Sequence, residues 1–177
     1  MTALYEEGDL KLAEQALASD LKLLEGLIKS DPENAKFLLL ACQGFGAYAL
    51  GFVEDNDPAR APSLYLRGRD YGLRILNKKS SFRADIGSFP DKLELALKQL
   101  DRKDVPALFW TANNWASWIN SNFADPQALA DLPKVQLLMQ RVLELDESYF
   151  FGGAHLFFAT IYAIRPPLFG GDMEKSK

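Results

Sequence analysis

The chain has one cysteine, Cys42, and one histidine, His155, in 177 residues. A lone thiol excludes an internal disulfide and a thiolate-cluster metal site, and leaves the redox compartment open. Basic runs are also missing. Lys and Arg are scattered and the net charge is -4, so the phosphate contacts that dominate nucleic-acid affinity have no source, and a nucleic-acid partner is not expected. No apolar stretch reaches the 20 or so residues of a membrane span: the longest, 37–53, is interrupted by Gln43, Gly44 and Gly46 and reads as a buried helix. The first residues, Met-Thr-Ala-Leu-Tyr-Glu-Glu, have neither a basic nor an apolar leader region, so the chain as given is expected to carry no secretion signal. Alternation of apolar and polar residues over four or more positions is absent, which argues against strands. What remains is 48% apolar and 25% charged residues, the balance of a soluble globular domain able to bury a core.

The apolar residues recur at helical spacing throughout. Leu10, Ala13, Leu17, Leu21, Leu24 and Ile28 predict a helix over 9–28, stopped by Ser30-Asp31-Pro32 because Pro32 has no N–H and disfavours helical geometry before it. A second helix is expected from near Glu33 to about Glu54. Asp57-Pro58 reads as cap and first position of a third, running to about Leu76. Residues 77–90 are polar, with a short helical turn expected at 82–86, and 91–99 is again helical. Asp104-Val-Pro106 opens a helix bearing Trp110, Trp115 and Trp118. Asp125-Pro126 starts another segment, strongest over 135–145, and 149–164 is apolar nearly all round, so this helix is expected to be central.

An internal echo organises these elements. A shift of 115 lays Leu23-Leu24, Leu27-Ile28 and Asp31 onto Leu138-Met139, Val142-Leu143 and Asp146, and Asp57 onto Asp172. Each copy is a helix, an acidic turn, a long apolar helix and a polar turn leading to an Asp-capped helix. The order favours repeats, because a helical hairpin cannot bury its apolar face without a stacked neighbour. The expected fold is all-α, a tetratricopeptide-like superhelix of stacked antiparallel helical hairpins, with residues 1–177 as one helical-repeat domain. The turn-like 5–9 and the Asp31-Pro32-Glu33-Asn34 run resemble parts of the tetratricopeptide repeat, although the helices are longer than its roughly 34 residues.

Candidate chemistry is sparse. His155 lies in an apolar run without an adjacent carboxylate to orient it as a base, and reads as a core or cleft-lining residue. Gly152-Gly153 and Gly170-Gly171 lack the spacing of phosphate-binding loops, no paired carboxylates stand out, and neither an enzyme nor a cofactor is expected. The helix 108–120 is the most unusual segment: Trp115 and Trp118 share a face, Trp110 projects elsewhere, and Asn113 and Asn114 interleave. Such aromatic stripes are often core packing. They are also what walls a cleft for an apolar or amphiphilic ligand, with Tyr162 further along and Arg165 next to Pro166-Pro167 able to close a helix end or hold a carboxylate.

Three segments carry a family resemblance: 152–177, with its Arg165-Pro-Pro-Leu-Phe-Gly-Gly-Asp-Met-Glu-Lys175 stretch, the tryptophan run 108–119, and the long small-residue helix after Asp31-Pro32. Together they resemble the TatT family, tetratricopeptide-like partner proteins of the tripartite ATP-independent periplasmic (TRAP) transporters. The resemblance implies a periplasmic scaffold, often tethered by a lipidated N-terminal cysteine, that forms a homotrimer, engages the TRAP solute-binding protein and offers a cleft or pore to a ligand. The residues expected to line a ligand cleft are Trp110, Asn113, Asn114, Trp115, Trp118, His155, Tyr162 and Arg165. No lipobox cysteine is present, so any membrane association would depend on an anchor absent from this chain, and the chain stops as the helix after Asp172 begins, so the domain is expected to be truncated there. A generic tetratricopeptide adaptor gripping a peptide in its concave groove is the alternative.

Overall fold

The computed structural model describes residues 7–78 and 90–164, together with Glu174. These residues are all-helical apart from turns, with no strand among them. Helix α1, Leu10–Ser30, is capped by Asp9, whose carboxylate accepts from the Lys11 N–H at 3.0 Å and the Leu12 N–H at 3.1 Å. It buries Ala13, Leu17, Leu21, Glu25 and Ile28, a stripe four residues apart that makes one contact face. Asn34 caps α2, Ala35–Tyr48, which continues through a π-helical turn, Ala49–Val53. This 19-residue run is long and apolar enough to cross a membrane by length and composition, but half of it lies buried inside the fold. It packs against α1, against α3 at Ala61–Leu76 and against α5 at Val105–Ser121.

The third helix begins at Ala61, not at Pro58. Pro62 explains the difference: a helix started at Pro58 would put Pro62 in its interior, where the ring collides with the carbonyl four residues back. The intervening residues form a turn in which the Asp57 carbonyl accepts from the Arg60 and Ala61 N–H groups at 3.0 and 3.3 Å. The helical turn expected at 82–86 lies outside the described residues. Helix α4 is Pro90–Leu97, and a 3₁₀ turn at 102–104 with a reciprocal Asp101–Asp104 capping box leads into α5. Then come α6, Pro126–Ala130, capped by Asp125, α7, Leu132–Asp146, and α8, Tyr149–Ile164.

Packing runs along the chain. Helix α3 lies against α2 and α5, α5 against α7, and α7 against α4 and α8. Two apolar clusters result, one centred on Leu38, Phe45 and Tyr65 and the other on Leu108, Leu138 and Met139; Ile75 and Trp118 touch both.

The tightest junction is that of α2, α3 and α5, and glycine makes it possible. A methyl group on Gly46 or Gly68 would collide with the Asn114 amide, and one on Gly72 with the Thr111 hydroxyl and the Cys42 sulfur.

The echo at a shift of 115 holds in element order: α1 and α2 correspond to α6–α7 and α8, with the single helix α1 broken at Asp131 in its second copy. Burial does not follow it. Leu23 and Leu27 are 69% and 50% exposed, whereas their counterparts Leu138 and Val142 are fully buried. The expectation that 149–164 is central is overturned: α8 packs on α7 and the edge of α5, and of its described side chains only Ala154 is fully buried, while Leu156 is 66% exposed.

Candidate functional site

The tryptophan helix does three different things. Trp115 is core, 4% exposed, its indole N–H donating to Asp131 Oδ2 at 3.2 Å and its ring covered by Arg69 at 5.1 Å and Lys134 at 5.8 Å. Half-buried Trp118 joins the two apolar clusters. Trp110 leans outward onto Phe109 and Phe150, with ring centroids 5.3 and 4.7 Å away, and its buried indole N–H has no hydrogen-bond partner of good geometry among the described residues.

Asn114 is fully buried. Its amide donates to the Cys42 carbonyl at 2.8 Å and to the Trp110 carbonyl at 2.9 Å, so it ties α5 to α2. Burial pushes the neighbouring Cys42 thiol up to about 12, the Asn114 amide beside it pulling only partly the other way. This thiol stays protonated and unreactive at ordinary pH. Asn113 is half-buried.

His155 is exposed, contrary to its reading as a core or cleft-lining residue. A left-handed turn at Phe150, Phe151 and Gly152, with φ of 48°, 59° and 71°, redirects the chain so that the ring faces solvent, and Nε2 lies 3.8 Å from Glu147 Oε2. Tyr162 is half-buried and stacks on Phe158 with centroids 6.3 Å apart. Arg165 lies outside the described residues. The predicted set is thus divided between the core (Asn114, Trp115), the cluster boundary (Trp118) and the surface of α8.

The same turn builds an aromatic edge that spacing within one helix could not announce. Phe150 is 43% exposed and Phe151 is 93% exposed; Phe150 meets Trp110 and Phe151 edge-to-face and Phe109 and Tyr149 at a tilt. Left-handed backbone costs a non-glycine residue roughly 1–2 kcal/mol, and two consecutive phenylalanines carry it here.

A second surface was also missed. Lys22, Glu25, Ile28 and Lys29 of α1, with Pro32 just beyond it, face Arg67, Tyr71 and Arg74 of α3 across a groove of about 570 Å³. Its signal is a four-residue rhythm of polar residues on two helices about 40 positions apart, visible only once the helices are paired. A smaller groove of about 330 Å³ runs between Pro133, Gln136, Leu137 and Gln140 of α7 and Phe158 of α8. Neither groove takes a wall from a predicted site residue. Among the described residues, no group of three or more His, Cys, Asp or Glu side chains could hold a metal ion.

The chain is 30% identical over 191 aligned positions to an uncharacterized protein of Treponema pallidum (strain Nichols), an alignment that covers 97% of this chain. It spans 58% of that protein's length. The family model for TAtT, the TRAP transporter T-component, matches residues 6–177. That family is transport-associated and non-catalytic, which agrees with the scarcity of catalytic groups read from the sequence. With the match running over essentially every residue described above, from the cap of α1 to the end of α8, the chain belongs to the TRAP transporter T-component family.

Proposed function

We propose that this protein is a non-enzymatic scaffold that binds the solute-binding subunit of a TRAP transporter in the periplasm and lines a cleft or pore for an apolar or amphiphilic ligand. The observation that carries the reading is the T-component match over residues 6–177. The packing of α3 against α2, and of α5 against both, supports a tetratricopeptide-like superhelix in which successive hairpins stack into a single domain. An aromatic edge exposed at strained backbone supports a ligand or partner role for the α7–α8 end, because large apolar side chains held outward mark interaction sites in soluble folds.

Within that reading Trp110 is the wall residue of the tryptophan helix, its ring set edge-on against the exposed Phe150. In this reading His155, Tyr162 and Asn113 contribute further ligand contacts, Arg165 takes a carboxylate, and Trp115, Trp118 and Asn114 hold the scaffold in shape. A homotrimer tethered through a lipid anchor completes the assembly.

The test is a pull-down of the full-length protein with the cognate TRAP solute-binding subunit. Association at micromolar concentration is expected, weakened when Trp110 or Phe151 is replaced by Ser. No association at that concentration rejects the scaffold reading.

The alternative adaptor reading, a peptide held in a groove between helices, is favoured by one feature, the cation-lined groove between α1 and α3.

A further inference from the structure

The groove between α1 and α3 has a charge opposite to that of the molecule. The chain carries -4 overall, yet the groove is lined by Lys22, Lys29, Arg67 and Arg74 against one carboxylate, Glu25. That carboxylate is already engaged. Glu25 is 7% exposed and is held by Lys22 Nζ at 2.8 Å, by the Tyr71 hydroxyl at 2.8 Å and by the Arg67 guanidinium. Burial alone would raise its carboxyl, but the hydrogen bonds from Lys22, Tyr71 and Arg67 outweigh it and hold Glu25 below the ordinary value. Glu25 therefore acts as a fixed counter-charge that sets the cations in place.

The cations are pre-organised by stacking as well. Arg67 sits over Phe45 at 4.7 Å, Phe45 stacks on Tyr71 at 5.8 Å, and Arg74 sits over Tyr71 at 5.5 Å while donating to the Pro32 carbonyl. Two guanidiniums are held over one pair of stacked rings, which lowers the entropy cost of aiming their remaining N–H groups at a carboxylate. Lys29 is exposed at the rim. Long charged side chains rim the groove around the Tyr71 ring, Ile28, Pro32 and Gly26, and it lies open to solvent along its length. A small molecule needs a largely apolar enclosure to bury most of its surface, and this groove does not supply one. A protein segment bearing several acidic side chains meets its charge without being enclosed.

We propose that the α1–α3 groove docks an acidic segment of a protein partner, with Arg67 and Arg74 receiving its carboxylates, Lys22 and Lys29 steering it, and Glu25 positioning Arg67. This rests on the scaffold reading in that the partner is the protein the scaffold holds, and it names the surface used.

The experiment is fluorescence anisotropy with the full chain and a fluorescein-labelled peptide of about eight residues alternating glutamate and leucine, with the lysine–leucine peptide as control. The glutamate peptide is expected to bind and the lysine peptide not. Affinity should fall several-fold as salt rises from about 50 to about 200 mM, and roughly tenfold in Lys29→Glu and in Arg74→Gln. Lys98→Glu, just past the end of α4 and paired with Glu94, should bind as the unaltered chain does. Lys29 is exposed and its replacement leaves the packing intact; helical circular dichroism checks both variants.

Absence of binding, equal weakening by Lys98→Glu, or displacement by free glutamate at the peptide's own concentration each overturns the proposal, the last in favour of a small-molecule site. The pull-down keeps the two readings apart. If the solute-binding subunit associates equally well with the Lys29→Glu variant, the groove assignment falls and the scaffold stands. If the acidic peptide binds as expected but the subunit does not associate, the scaffold reading falls and the groove stands.

Discussion

Helices α2 and α8 occupy matching places in the two copies related by the shift of 115, and both are among the most apolar segments of the chain, yet their surroundings differ completely. Helix α2 has α1, α3 and α5 around it and buries Leu38, Ala41, Cys42, Phe45 and Tyr48 along with Gly44 and Gly46. Helix α8 has α7 on one side, touches the edge of α5, and leaves Leu156 and Phe151 in solvent. Apolarity gave each helix the capacity to be central, and among the described residues the number of packed neighbours separates the two. In this reading α2 belongs to the part of the molecule that must not move, and α8 to the part that meets something else.

The contrast can be broken hardest at α2. Gly46→Ala places a methyl group on the Asn114 amide inside a buried junction and is expected to cost about 2–3 kcal/mol in urea denaturation. Adding Asn114→Ala to it should cost less than the two single changes together, because the colliding amide is gone; strict additivity would show that the glycine is not there for Asn114.

An effect of intermediate size is expected from alkali. Cys42 loses its proton near its ordinary value of 9 in the unfolded chain but only at about 12 in the fold, so its contribution is complete below 9 and is lost as pH rises toward 12. Stability measured across that window should decline more steeply in the unaltered protein than in Cys42→Ala. Equal slopes would remove the thiol from the account.

The smallest effect belongs to α8. Phe151→Gly relieves a left-handed phenylalanine that is 93% exposed, so the variant should be as stable as the parent or up to about 1 kcal/mol more so, while any partner or ligand that uses the aromatic edge is lost. A marked loss of stability would mean that this edge is structural and that α8 resembles α2 more closely than its exposure suggests.

Most of the helices were legible because their signals are local. Asp125-Pro126 opens a segment where the sequence places one, Asp9 and Asn34 cap α1 and α2 within a residue of the starts read from periodicity, and Pro126, Pro133 and Pro106 sit in first turns where a missing N–H costs nothing. The misplaced start of α3 came from weighing Pro58 without Pro62. The site was far less legible. Asn114 and Trp115 read as pocket residues because amides and indoles wall pockets, but the same groups are used inside proteins wherever a buried carbonyl or carboxylate needs a donor. His155 read as enclosed because its neighbours are apolar, and only the left-handed turn before it shows that the helix lies at an edge.

The sequence by itself determined an all-helical chain, the order of its elements, the absence of basic runs and catalytic pairs, and, through motifs spread over most of its length, its family. Each of these depends on residues close in the chain or on composition, which periodicity, caps and motifs report directly. Only the tertiary structure decided which apolar helix is surrounded, that Asn114 ties two helices together, and that Lys22, Glu25 and Lys29 share a groove with Arg67, Tyr71 and Arg74. Those facts depend on pairs of residues some 40 to 70 positions apart, whose meeting is set by the close approach that glycines allow at the three-helix junction and by how many neighbours each apolar face finds.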